Sequence, residues 1–232
     1  RKLVKAFGDK VLAVCEAIRE NLIQELGVNP HSVEVVRNGV DTPIVEKTNV
    51  EALRTEKPLV TLLGRLSKEK GDLAFRIVQE IMPLLGDEVH LRVVGGDKNG
   101  IPAKFDVFRP KVEFTGYVGN VSDYLATSDV VIGAGRSAIE ALLLEKPVIA
   151  VGEALLHGLI TPETLDAALH TNFGDIDIGK HFDWQTLPAN LNAALERAQR
   201  KSRSATILRQ RMEEEFSMER LVSSINAVYQ QA

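Results

Sequence analysis

At 232 residues the chain is long enough for one large α/β domain, or for one domain with part of another. Its 28 Lys and Arg against 32 Asp and Glu give a formal net charge of −4, which argues against general nucleic-acid binding and makes any positive site a local one. The single cysteine, Cys15, excludes an internal disulfide, and no run of about 18 apolar residues is present to span a bilayer, so a soluble, cytoplasmic protein is expected.

The chain opens Arg-Lys-Leu-Val-Lys, with neither an initiator Met nor a signal-peptide pattern. The first strand candidate, Val11 to Cys15, follows almost at once, so a fragment of a longer protein is expected. Ala17, Ile18, Leu22 and Leu26 then share a helical face, and Val33 to Val36 forms the next apolar run. The polar stretch Asp41 to Lys57 reads as a surface connection after an interdomain hinge.

Leu59 to Leu63 is the next strand candidate, and Leu73, Ile77, Val78 and Ile81 place a helix after it. Further buried-strand signals follow at Val89 to Val94, Val112 to Phe114, Val130 to Ile132 and Val148 to Val151. Strands alternating with helices imply parallel βαβ units. After Val151 the strand signals nearly stop, so the sheet is expected to be complete by about Gly152. Helices take over at Pro162 to Leu169, Leu187 to Lys201 and Met218 to Tyr229. The last carries Leu221, Val222, Ile225, Val228 and Tyr229 as a stripe to bury. The fold class expected is a Rossmann-like α/β domain, with a mostly parallel sheet of roughly six strands and helices on both faces.

Two segments carry candidate chemistry. In the run from Ser128 to Glu153, Gly133 and Gly135 lack a Cβ, so a ligand can approach the backbone. The free N–H groups of the helix beginning near Arg136 would then point at it. Those donors and the helix dipole favour a phosphate. The second segment is Gly64-Arg65-Leu66-Ser67-Lys68-Glu69-Lys70-Gly71. There Arg65 and Lys70 sit at the carboxyl end of a strand, where open α/β sheets bind ligands. Arg65 can grip a diphosphate through its planar fork and Lys70 can supply a point charge. Taken alone they read as solvated loop charges. Two such loops on one sheet edge would form a cleft.

Across most of its length the sequence resembles the C-terminal, nucleotide-sugar-binding half of the group-one retaining glycosyltransferases of the GT-B fold. The landmarks are Val11 to Glu16, the turn Asn38-Gly39-Val40-Asp41, Gly64 to Ser67 with Lys70-Gly71, and Phe114 to Val118. Ser128-Asp129-Val130, Ile139-Glu140-Ala141 and Lys146 to Ala150 complete them. Their order and spacing together are specific.

The resemblance implies that Arg65 and Lys70 are the catalytic pair, binding the donor diphosphate and offsetting charge on the leaving nucleotide. Gly64 belongs to the same phosphate loop. It implies that Glu140 accepts the ribose hydroxyls, that the backbone near Tyr117 and Val118 meets the base, and that amides at Gly133 and from Gly135 to Ser137, with Arg136, meet phosphate oxygens. It also implies a division in which residues 1–27 are a remnant of an N-terminal acceptor domain and 28–205 bind the donor. Residues 206–232 would be a C-terminal helix packing back toward the N-terminal domain. The enzyme would be of the hexosyltransferase type, inactive as this fragment, and would use a nucleoside-diphosphate sugar, UDP being the first choice, with no cofactor. The acceptor is unknown, and peripheral association of the longer protein with the inner membrane surface fits the same picture. One departure stands out: the family often has two glutamates separated by seven residues, and Ile132 occupies the first position.

Three other readings compete. Gly133-Ala134-Gly135 with Glu153 also fits a dinucleotide fingerprint for NAD(P), although that fingerprint usually opens its domain. A catalytically silent nucleotide-binding module and a GT-B-like sugar-nucleotide epimerase remain. Asp175-Ile176-Asp177 reads as a plain turn. His31, His90, His157, His170 and His181 show no zinc spacing, so no metal is assigned, and His157 and His170 are expected at a surface or interface. The basic run Arg197, Arg200, Lys201, Arg203, Arg209 and Arg211 is followed by Glu213 to Glu215 and reads as a solvated helix face.

Overall fold

Val130, Val131 and Ile132 are all fully buried, yet Val130 and Ile132 pack into one hydrophobic cluster and Val131 into another. The same split divides Ile149 and Val151 from Val148 and Ala150. Successive strand residues face opposite ways, so a continuous apolar run means a strand covered on both sides. In this computed structural model residues 7–43, 47–96, 100–177, 179–200 and 202–230 are described.

The chain begins with a βαβ unit: β1 (Val11–Ala13), α1 (Glu16–Gln24) and β2 (Val33–Val35), whose strands pair in parallel as a separate two-stranded sheet. Next come α2 (Lys47–Leu53), β3 (Leu59–Leu63), α3 (Lys68–Leu85) and β4 (His90–Val94). They lead to β5 (Val112–Gly116), α4 (Val121–Thr127), β6 (Val130–Gly133), α5 (Arg136–Leu143) and β7 (Val148–Val151). The chain ends with β8 (Leu156–Leu159), α6 (Leu165–His170), α7 (Leu187–Ala198), α8 (Arg203–Phe216) and α9 (Met218–Tyr229).

The main sheet is six-stranded in the order β5-β4-β3-β6-β7-β8, parallel except for β8. Helices α3 and α7 cover one face, and α4, α5, α6 and α8 the other. The fold is therefore the mostly parallel, Rossmann-like α/β sheet with helices on both faces that was expected.

The sheet does not end at Gly152. Leu156–Leu159 folds back antiparallel beside β7, and its short Leu-His-Gly-Leu sequence carries little strand signal. The Asp41 to Lys57 stretch is not only a connection, since it contains α2, although residues 44–46 lie outside the described ones. The predicted helix from Leu187 ends at Ala198, and Lys201 is outside the described residues. The expected division at residue 206 falls within α8, whose Leu208, Met212 and Phe216 are buried against the α5 side of the sheet.

The βαβ unit is tied to this body by Arg37. Its guanidinium donates to both carboxylate oxygens of Glu16 at 2.9 Å and to the carbonyl of Leu169 at 3.1 Å. In α9 no residue is buried, and Val222 and Tyr229 remain exposed.

Candidate active site

Two strand-to-helix crossings meet at the carboxyl edge of the sheet. β3 leaves through Gly64 and Arg65 into α3, and its parallel neighbour β6 leaves through Gly133 to Gly135 into α5. Between them the sheet order reverses, because β4 and β5 are added on one side of β3 and β6, β7 and β8 on the other. Loops diverge at such a switch point and leave a crevice, the usual ligand position in open α/β sheets. Here a cavity of about 220 Å³ opens between them, lined by Gly64, Arg65, Lys70, Gly133, Arg136 and Ser137 among others. Residues expected from the sequence to bind one anion thus share one cavity, although they come from separate crossings.

Two turns aim the charges. Gly71 donates its N–H to the carbonyl of Ser67 at 3.0 Å, and a Cβ there would strike the Leu66 carbonyl, so only glycine closes this first turn of α3. The turn holds Lys70 toward the cavity. A cation in the first turn of a helix opposes the macrodipole, so helix stability does not account for it. Its neighbours do: Lys70 Nζ lies 3.1 Å from both carboxylate oxygens of Asp175 and 3.2 Å from Glu153. Arg65 is exposed at the mouth and takes part in no ion pair among the described residues.

On the other crossing, Gly135 adopts φ 51 and ψ −130 at the N-cap of α5. The glycines also allow close packing within the protein. A Cβ on Gly135 would lie 3.0 Å from Asp175 Oδ2 and 3.1 Å from Asn172 Nδ2, and one on Gly133 would lie 3.2 Å from the Leu63 carbonyl. Both glycines make room for neighbouring groups of the protein, and Gly133 also lines the cavity. The Gly135 amide is likewise taken, donating to the carbonyl of Asn172 at 3.1 Å. Arg136 and Ser137 follow it in the first turn, where amides have no intrahelical acceptor, and they border the cavity.

Glu140 lies one turn further along α5, outside the cavity lining, and its Oε1 accepts from Arg136 Nε at 2.7 Å. Tyr117, 81% exposed, follows β5, two strands away from β3; Val118 comes next. All three stand on the same carboxyl edge, beside the cavity rather than in it.

Sequence reasoning missed the acids. In the sequence Asp175 reads as part of a plain turn, and Glu153 carries a signal only for a dinucleotide ribose. The turn carrying Asp175 is held by Thr171, whose Oγ1 accepts the Gly174 amide at 3.1 Å and lies 2.7 Å from His157 Nε2. His157 is partly buried between β8 and that turn, and burial lowers its pKa against a weaker opposing pull from Asp177. His170 is partly exposed and lies 3.2 Å from Glu20, joining α6 to α1.

A second cavity, of about 300 Å³, opens between α5, α7 and α8 at the amino edge of β6 and β7. It holds none of the expected site residues, and loops do not diverge there. Among the described residues no group of three His, Cys, Asp or Glu is placed to hold a metal ion. None of the described helices is long and apolar enough to cross a membrane.

Residues 57–169 match a family model described as glycosyl transferases group 1. That span covers β3 to α6 and contains both crossings. No curated protein matches the chain. Among solved structures, the chain is similar to Anabaena HepE in complex with UDP: 19% identity, TM-score 0.72, covering 97% of this chain and 65% of that one. A glycosyltransferase from Rickettsia africae is similar at 16% identity and a TM-score of 0.71, covering 96% and 63%. So is a variant of S. aureus TarM in complex with Fondaparinux, alpha-GlcNAc-glycerol and UDP, at 16% identity and a TM-score of 0.68, covering 95% and 44%. At these identities the likeness is one of fold. The chain spans less than two thirds of each of these structures.

Proposed function

We propose that this chain is the donor-binding half of a retaining group-one glycosyltransferase, C-terminal in its longer protein, that holds a nucleoside-diphosphate sugar at the crevice between β3 and β6. The observation that carries the reading is the convergence of Arg65, Lys70 and the first turn of α5 on one cavity at the switch point of the sheet. The match of residues 57–169 to the group-one family, and the UDP complex of the similar Anabaena protein, support it.

In this role Arg65 and Lys70 bind the diphosphate and neutralise charge that grows on it as the glycosidic bond breaks. The amides of Arg136 and Ser137 donate to phosphate oxygens at the positive end of α5. Glu140 reaches the ribose once Arg136 turns from it to the phosphate, and the backbone at Tyr117 and Val118 meets the base. The leaving diphosphate guides the acceptor proton on the same face of the sugar, which retains the anomeric configuration without a covalent nucleophile. The acceptor would meet the remainder of the longer protein, in the cytoplasm or at the inner membrane surface, and no cofactor takes part.

The dinucleotide reading fits less well. The glycine-rich turn follows β6, not the first strand of the sheet, and Glu153 is already paired with Lys70. A thermal-shift panel of UDP, GDP, ADP and NADH tests the assignment, because stabilisation grows with ligand concentration over its dissociation constant. Stabilisation by one nucleoside diphosphate and not by NADH is expected. Stabilisation by NADH alone would reject the glycosyltransferase reading.

A further inference from the structure

Lys70 reaches into the diphosphate crevice already neutralised. Its ammonium contacts Asp175 at 3.1 Å from the turn after α6 and Glu153 at 3.2 Å from the end of β7, so three separate segments converge on one point. The three side chains are between 19% and 31% exposed, wet enough to exchange partners and dry enough for their charges to matter. Both carboxylates border the same cavity as Arg65.

This arrangement is costly for a bare diphosphate. A phosphate drawing Lys70 away leaves two carboxylates beside it without a cation, and like charges in a partly dry site repel. A sugar attached to the diphosphate changes the balance. Its hydroxyls are donors, and a carboxylate with two oxygens is the acceptor suited to them. Resting on the donor-binding reading above, we infer that Asp175 and Glu153 are specificity-determining residues. They hold Lys70 in the empty site and pass to the donor sugar's hydroxyls when Lys70 moves to the phosphate.

The sugar conjugate is thereby favoured over the nucleoside diphosphate that remains after transfer, and the spent nucleotide is helped to leave. The glycine at 135 belongs to the same device. Its missing Cβ makes the room in which Asp175 Oδ2 stands beside the start of α5. Asp175 thus acts as a stand-in for a phosphate at both the lysine and the helix N-terminus.

The test uses Asp175→Asn and Glu153→Gln, which keep shape and remove charge. Calorimetry is run first with pyrophosphate, which has neither base nor sugar. It is then run with UDP against UDP-glucose and UDP-N-acetylglucosamine, GDP against GDP-mannose, and ADP against ADP-glucose. Each variant should bind pyrophosphate roughly three- to tenfold more tightly than wild type, the scale of one repulsive charge in a half-buried site. For the best-bound pair, preference for the sugar conjugate over its diphosphate should fall by a similar factor. A merely structural role predicts the opposite sign, with weaker binding and a lower Tm. Unchanged or weaker pyrophosphate binding in both variants, or an unchanged sugar preference, overturns the inference while leaving the donor site standing. No diphosphate binding by the wild-type chain removes the site and this inference together.

Discussion

Lys70 and Asp175 are 105 residues apart in the chain, yet the lysine ammonium lies 3.1 Å from each oxygen of the aspartate. The contact joins the first turn of α3 to the turn after α6 and closes one wall of the cavity between β3 and β6. A cation in an unfavourable helix position is thereby held by two carboxylates from other parts of the fold.

Arg65 and Lys70 should separate in their effects. Arg65→Ala removes an exposed cation and should weaken diphosphate binding by about 1.5 to 3 kcal/mol, the scale of a charged hydrogen bond, with little change in Tm. Lys70→Ala should weaken binding by the same order and also destabilise the fold by about 1 kcal/mol, because Asp175 and Glu153 lose their cation. Calorimetric titration and scanning calorimetry on the two variants read both quantities. Unchanged affinity in both would remove them from the site.

Gly135→Ala places a Cβ where φ is 51 and where Asp175 Oδ2 would be 3.0 Å away. Backbone strain of this kind costs about 1 to 3 kcal/mol, and the aspartate must shift as well. Urea denaturation should show the loss, and Gly8→Ala, with open space at its Cβ, should not.

Stability should depend on pH through His157. Its pKa is lowered by burial, so just below the ordinary value of about 6.5 the unfolded chain binds a proton that the folded chain does not. Stability is then fully present above about pH 6.5, falls as the pH drops through that value, and levels off below the folded pKa. Urea midpoints at pH 7.5 and 5.5 should differ less for His157→Gln than for wild type. An equal difference would show that this ring does not carry the effect.

Arg92 in β4 is 3% exposed and bonds Glu113 at 2.8 Å, the Leu53 carbonyl at 3.0 Å and Thr127 at 3.2 Å. It therefore pins α2 and α4 to the sheet. Arg92→Leu leaves those acceptors without their donor and should cost roughly 2 to 3 kcal/mol, read from the shift in urea midpoint.

The sheet was legible because burial on both faces leaves continuous apolar runs, such as Leu59 to Leu63 and Val148 to Val151. The meeting of the two crossings followed from alternating strands and helices together with the rule that ligands bind at strand carboxyl ends. β8 was missed because Leu156-His157-Gly158-Leu159 is short and broken by glycine, and pairing with β7 rather than composition makes it a strand. α2 was missed because its Lys-Thr-Asn-Val-Glu-Ala-Leu sequence has no apolar stripe. Asp175 and the true use of Gly135 had no local signature. Each is defined by the other across the fold, and no spacing rule reaches that far.

Donor recognition in this reading rests on diphosphate binding between the two crossings. It is tested most directly by titrating pyrophosphate into uniformly ¹⁵N-labelled protein and following the backbone amides. Gly64, Arg65, Arg136 and Ser137 should shift together along one saturating curve, while amides lining the cavity at the amino edge of the sheet should stay still. Saturable shifts confined to that other cavity, or none at either crossing, would contradict it.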